Sequence, residues 1–343
     1  MGRSNVPPAA PLVSIITPAY NAGRFIEYTL ESAIRQTFTR FELIVVDDGS
    51  TDQTFAIASS YARRDPRIRV LRQANRGIAV ARNTAMRAAR GRLFALLDSD
   101  DLWFPTYLAE QLAVLEAHPE IAVLSANALN FGGPLDGEPL LHVRANDGVL
   151  QIPLLHLVQI EDAMSILALF RRDVSDAIGL FDESLRRSED YDFWLRAARA
   201  GFQLAVNPKP LGLYRRRPDS LSSDESLMLE AMRRPLLKLR EACADLPVVQ
   251  DAVDQQLARF ARRSLVADAR SALVKGDMPE LASTFSALAE TTGDTKYRLA
   301  RWLAGHAPLT IRVAYRCKQL LGPLTRASVR PAHLPTITAG DRL

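Results

Sequence analysis

The sequence predicts an α/β fold: a doubly wound, mostly parallel sheet with flanking helices, followed by a helical C-terminal extension. Three observations carry this. Short continuous apolar runs alternate with amphipathic stretches from Leu12 to about residue 216. Carboxylates gather where those runs end, at Asp47, Asp48, Asp98, Asp100 and Asp101, which is where such sheets bind ligands. Beyond about residue 223 only helical periodicity remains.

Each element has its own reason. "LVSIIT" (12–17) and "FELIVVDDGS" (41–50) are apolar without alternation, as strands covered on both faces are. Between them, "RFIEYTLESAIRQ" puts Ile26, Leu30 and Ile34 on one helical stripe. Ser50, Thr51 and Asp52 are natural N-caps for a helix through Phe55, Ala58 and Tyr61. "RIRVLR" (67–72) is a short strand, and "GIAVARNTAMRAARG" a helix closed by Gly91. A strand ending at Asp98, a helix from Pro105 to about His118 and the strand "IAVLSA" (121–126) follow. Residues 127–163 read as a long irregular loop, of the kind that carries function. "SILALF" (165–170) is a strand, and "SEDYDFWLRAARAG" a helix capped by Ser188 with Phe193, Ala197 and Ala200 on one stripe. "FQLAV" and "LGLYRR" close the α/β part.

Composition narrows the class. The 343 residues are 48% hydrophobic and 24% charged, ordinary globular material with room for a full core. Two cysteines, Cys243 and Cys317, fit no metal or redox spacing. "MGRSNVPPAAP" holds no signal-peptide core, and no run approaches a membrane span, so a cytoplasmic location is expected. Residues 291–343 hold 9 Lys+Arg against 2 Asp+Glu, leaving 34 basic and 37 acidic residues elsewhere. The main body is therefore not basic, and nucleic acid is not an expected partner. "TPAYNAG" follows the first strand where a dinucleotide fold needs Gly-x-Gly-x-x-Gly, which disfavours a dehydrogenase, and no Gly-x-x-x-x-Gly-Lys-[Ser/Thr] loop occurs, which excludes a P-loop kinase.

"PAYN" (18–21), "VVDDGSTD" (45–52), "NRGIAVARN" (75–83), "DSDD" (98–101) and "SEDYDFWLR" (188–196) resemble, in content and order, family 2 glycosyltransferases of the GT-A fold. The resemblance covers roughly residues 11–222. It implies a catalytic domain there, with a nucleotide-sugar half at about 11–126 and an acceptor half at about 127–222. A flexible start (1–10), a helical extension (223–330) and a loose tail (331–343) complete the expected organisation. It implies an inverting, metal-dependent transferase that moves a sugar from a nucleotide-diphosphate donor, UDP-sugar favoured, to a glycan or lipid-linked acceptor. The alternative is an inactive nucleotide-binding relative with a scaffolding role.

The resemblance also assigns residues. Asp100 matches the metal-binding acid and Asp98 the acid near ribose and metal, which would hold Mg²⁺ or Mn²⁺ on the diphosphate. Asp101 reads as a cap for the helix behind Pro105. Tyr20 is placed to stack on the base, with Pro18 fixing the turn and Asn21 beside it. Asp48 matches the acid that accepts from the ring N–H of a uracil-type base, a donor cytosine lacks; Asp47 reads as structural. Asn75 and Gly77 join the nucleotide set, Gly77 allowing close backbone approach. Arg82 reads either as a contact to nucleotide or catalytic acids or as a surface arginine. Asp190 matches the base and Glu189 its neighbour. Asp192, Phe193 and Trp194 read as packing and surface, with acceptor contact the alternative for Trp194.

One departure stands out. In "LYRRRPDSLS" (213–222), Arg217 occupies a position where such enzymes often carry His. Arginine cannot ligate a cation but pairs with phosphate; a solvated basic face is the alternative. Finally, "LTIRVAYRCKQLL" (309–321) drawn as a helix gathers Leu309, Val313, Cys317, Leu320 and Leu321 on one arc flanked by Arg312, Arg316 and Lys318. It either lies on the inner face of the cytoplasmic membrane or packs on the catalytic domain.

Overall fold

The computed structural model describes residues 10–143, 148–217, 219–220, 225–307 and 310. The expected flexible start, the loose tail and, Thr310 apart, the 309–321 helix with Cys317 lie outside the described residues. The chain begins with β1 (Val13–Ala19), α1 (Ile26–Ile34), β2 (Phe41–Asp47), α2 (Thr54–Ala62), β3 (Ile68–Arg72), α3 (Ile78–Ala88) and β4 (Leu93–Leu96). Next come β5 (Leu102–Trp103), α4 (Tyr107–Ala117), β6 (Ile121–Phe131), β7 (Leu150–Gln151), α5 (Leu154–Gln159) and β8 (Ala168–Arg171). α6 (Arg172–Ile178), α7 (Glu189–Arg199) and β9 (Gln203–Arg215) complete the α/β part.

The strands form one sheet in the order β3-β2-β1-β4-β8-β6-β9-β5, with β7 on β9. β3, β2, β1 and β4 are all parallel. Past β4 the sheet is mixed: β8 is antiparallel to both neighbours, and β6 and β9 run parallel. Every residue of β1 and β2 is buried, as the unalternating runs require. Val13, Ile15, Leu43 and Val45 face Ile26 and Leu30 of α1 and Ala58 of α2. Ile16, Ile44 and Val46 face Ala79, Ala85 and Met86 of α3. Burying each Ile, Leu or Val contributes about 1.5–3 kcal/mol, so the strand alternation decides which helix covers which face.

Several local expectations change. α3 ends at Ala88, and Gly91 does not cap it. Its role is close packing: a Cβ there would sit 2.6 Å from the Ser14 nitrogen. β6 continues through Phe131, so the irregular segment is shorter than 127–163 and contains β7 and α5. "SILALF" begins as a strand only at Ala168, because Ser165 is tied to Ser125 by their hydroxyls. "FQLAV" and "LGLYRR" are one strand, whose Pro208 and Pro210 fall where the β6 register shifts. Ser188 occupies the N-cap position of α7 but makes no cap hydrogen bond, and Ala200 is exposed.

α8 (Glu225–Ala242) and the first part of α9 (Pro247–Lys275) bury Leu236, Leu239, Val253 and Phe260 in the core that holds Phe193 and Trp194 of α7. Two compact units result, one running to Phe260 and the other from Ala261. In the second, α10 (Met278–Thr292) and α11 (Thr295–His306) share a small core of Ala272, Leu281 and Ala304. Among the described residues no helix is long and apolar enough to cross a membrane.

Candidate active site

The direction of chain progression reverses at β1: β2 lies on one side of it and β4 on the other. The carboxyl ends of such strands open a crevice, the usual ligand position in open α/β sheets. Pro18 is buried at the end of β1, and Tyr20 follows with its side chain 51% exposed and free to meet a flat partner. Asn21 adopts a left-handed φ of 47° and clips the next loop. Its backbone N–H donates to Ser50 Oγ (3.0 Å), and its Oδ1 accepts from Thr51 N (2.9 Å).

After β2 the two acids part. Asp47 turns into the sheet and pairs with Arg72 Nε of β3 at 3.0 Å, which bears out a structural part for it. Asp48, 3% exposed, accepts from Gln73 Nε2 (2.7 Å), Arg76 N (3.0 Å) and Gly77 N (2.8 Å). Three of its roughly four lone-pair sites thus shape the 73–77 loop, leaving one on Oδ2. Gly77 opens α3 at φ 97°, and Asn75 stands exposed on the loop.

Arg82 lies one turn into α3 and is 1% exposed, so it is not a surface arginine. Its Nη2 donates to Asp98 Oδ1 (2.6 Å) and its Nη1 to Glu189 Oε1. Burial would weaken its hold on the proton, but the carboxylates of Asp98, Glu189 and Asp190 outweigh that and raise its pKa. One guanidinium thus ties the end of β4 to the start of α7, and both its terminal nitrogens are committed to protein acids. Asn83 reinforces the junction. It donates from Nδ2 to the Phe181 carbonyl (2.9 Å) and accepts from Phe181 N (3.0 Å), fixing the segment that leads into α7.

At the start of α7, three acids complement the helix dipole. Burial, opposed by Arg82, pushes Glu189 up to about 7. Asp190 is also raised, first by burial, and its Oδ1 accepts from Tyr191 N (2.8 Å). Asp192 is buried rather than superficial, held by Arg196 (2.7 Å) and Lys238. Trp194 is 2% exposed and edge-on to Phe193 and Phe170, which removes it as an acceptor contact.

The acid turn after β4 meets the end of β9. Asp101 does not cap α4; its Oδ1 accepts from Arg215 N (2.8 Å), and its carbonyl accepts from Thr29 Oγ1. Arg215 Nε donates to the Asp100 carbonyl (2.8 Å), while Arg217 Nε stands 3.1 Å from Asp100 Oδ2. Both guanidinia lie over the ring of Phe25 at 4.8 and 5.0 Å. Burial first, then the charge of Asp98, raises the pKa of Asp100 against the pull of Arg217.

Asp98 and Asp100 each direct one oxygen at an arginine, Asp98 Oδ1 at Arg82 and Asp100 Oδ2 at Arg217, and each keeps a second carboxylate oxygen. Two hard oxygens suit Mg²⁺ or Mn²⁺, which take one or two carboxylates and complete their shell from substrate phosphates and water. No three His, Cys, Asp or Glu side chains among the described residues form a cage that would hold a metal unaided. The sequence motif includes Asn83 without assigning it a role, and Arg215 drew no assignment. The first lies with Ala79 and Met86 on the buried stripe of α3, a pattern that marks it as inward-facing; Arg215 carried no local signal.

This sheet and crevice are those of the GT-A class of glycosyltransferases. The likeness to Staphylococcus aureus TarS 1–349 in complex with UDP has a TM-score of 0.55 at 22% identity over 94% of each chain. The mannosyltransferase PcManGT from Pyrobaculum calidifontis, in complex with GDP-Man and Mn²⁺, gives 0.55 at 22% over 93% of this chain and 90% of its own. Residues 14–179 match the family model for glycosyl transferase family 2. The putative teichuronic acid biosynthesis glycosyltransferase TuaG of Bacillus subtilis is 34% identical over 63% of this chain and 83% of its own. The chain belongs to glycosyl transferase family 2. Glycosyltransferase EpsJ of the same organism is 34% identical over 62% of this chain, which spans 63% of EpsJ, less than two thirds.

Proposed function

We propose that the protein transfers a sugar, with inversion, from a nucleoside-diphosphate donor to a hydroxyl of a glycan or lipid-linked acceptor, UDP-sugar being the favoured donor. The observation that carries this is Arg82, which joins the acid turn of β4 to the acids of α7 in one buried cluster. Groups that handle the leaving diphosphate and a group that takes a proton thereby share one crevice. In this reading the acceptor oxygen bonds to the anomeric carbon, its proton passes to Asp190, and the bond from that carbon to the diphosphate oxygen breaks. Burial makes Asp190 a stronger base than a solvated aspartate, which suits that task. Glu189, held by Arg82, keeps the helix start in place beside it.

Asp98 and Asp100 would hold Mg²⁺ or Mn²⁺; when bound, the cation neutralises charge on the leaving diphosphate. Tyr20 stacks on the base, the remaining Asp48 lone pair accepts from a uracil-type N–H, and Pro18, Asn21, Asn75 and Gly77 frame that end. Arg217, half-buried beside Asp100, is the arginine that turns toward phosphate in this reading, since Arg82 is committed elsewhere. The donor class is supported by the fold neighbours in complex with UDP and with GDP-Man and Mn²⁺. The acceptor class is supported by relatives named for teichuronic acid biosynthesis and chondroitin synthase.

The test is a binding titration of UDP, dTDP, GDP and CDP, with and without Mn²⁺, on wild type and Asp100→Ala. UDP or dTDP should bind selectively, more tightly with Mn²⁺, and lose that enhancement in the variant. Absence of binding by all four nucleotides would overturn the donor site.

A further inference from the structure

Arg217 is where this chain departs from the pattern of its motifs, and its position has a consequence for metal loading. Its Nε lies 3.1 Å from Asp100 Oδ2, with the two side chains 23% and 20% exposed. The pair is neither sealed in the core nor freely solvated. Arg215, two residues earlier at the end of β9, anchors the same acid by its carbonyl and stacks on Phe25 and Phe131. Arg217 lies over the same Phe25 ring but has no hold on the Asp100 backbone, only on the carboxylate. A second acid, Asp219, stands 3.7 Å from the same nitrogen.

We propose that Arg217 is a resident counter-ion that competes with a divalent cation for Asp100, and that a nucleoside diphosphate draws it away. This rests on the donor-site reading above. Arginine stays charged at any physiological pH, so it cannot vacate the acid by losing a proton. A metal ion arriving alone must therefore break an existing ion pair and leave a guanidinium beside itself. A diphosphate removes that cost, because its oxygens offer the guanidinium fork a bidentate partner. Metal and nucleotide then favour one another through Arg217, each by the same factor. A histidine at position 217 would impose no comparable competition at neutral pH, since it is mostly uncharged there.

The test needs no nucleotide and no turnover. Mn²⁺ alone is titrated into wild type, Arg217→Gln, Arg217→Lys, Asp100→Asn and the Asp100→Asn/Arg217→Gln double variant, with free Mn²⁺ read by electron paramagnetic resonance. Arg217→Gln should take up Mn²⁺ about two- to fivefold more tightly than wild type, the scale of one partly exposed ion pair. Arg217→Lys should stay near wild type, and the gain should vanish when Asp100 is Asn. Equal affinity in wild type and Arg217→Gln, an equal gain in the Lys variant, a gain that survives Asp100→Asn, or no Mn²⁺ uptake by Arg217→Gln would each overturn the proposal. Failure of wild type to bind UDP with saturating Mn²⁺ refutes the donor site instead, and the metal-only comparison is unaffected by it.

Discussion

Two arginines neutralise carboxylates in this crevice, in opposite settings. Arg82 comes from the middle of a helix, is sealed from solvent and bridges two acids from distant parts of the chain. Arg217 follows the last strand, is partly exposed and meets acids of the adjacent turn and its own segment. The inner pair has nowhere else to go, so its charge is part of the architecture. The outer pair has water and incoming anions as alternatives, so its charge is available for exchange. Buried and half-buried ion pairs thus do different work, because the cost of separating them differs.

Stability measurements can break this contrast. Arg82→Met leaves the buried Glu189 carboxylate without its counter-ion, takes the partner from half-buried Asp98, and should cost about 3–5 kcal/mol, read as a lower urea midpoint. Arg217→Gln should cost under about 1 kcal/mol. Similar losses for the two would erase the distinction. Next in size, Asp190→Asn should slow sugar transfer by on the order of a hundredfold or more while UDP affinity holds. A variant that transfers at the wild-type rate would move the base elsewhere.

The pH dependence sharpens the inner half. Glu189 is pushed up to about 7 from 4.5, so between those values the folded chain binds more protons than the unfolded one. Stability carried by this group is full below pH 4.5 and is lost as pH rises through 7. Asp190 and Asp100 are shifted the same way and add to the slope. Urea midpoints at pH 5 and pH 7.5 should fall with pH in wild type and fall less in Glu189→Gln. An unchanged slope in that variant would mean Glu189 does not carry the effect.

Much of this was legible in the sequence, for reasons that differ by element. "LVSIIT" and "FELIVVDD" announce doubly covered strands, and the acids that follow them fall at strand ends whatever the loops do. Arg82 was less legible: its type says surface, while its spacing from Ala79 and Met86 says interior, and only the acids waiting in the core decide between them. The turn after β4 was hardest. Asp101 does not cap the helix that follows it, because a strand more than a hundred residues later supplies the N–H it accepts from. Pairing over that distance leaves no local trace.

The construction of α3 has a further meaning. Gly77 at its head closes on Asp48, Arg82 reaches both acid clusters, and Asn83 grips Phe181. All three engagements are indexed to one helix, which turns about 100° per residue. Inserting or deleting a single residue between Gly77 and Arg82 would swing the guanidinium out of the crevice while leaving helix propensity untouched. A change of chain length is therefore compatible with this crevice before Gly77 or after Asn83, and not between them. The span from Gly77 to Asn83 behaves like a ruler, and chimaeras meant to change donor preference should place their junctions outside it.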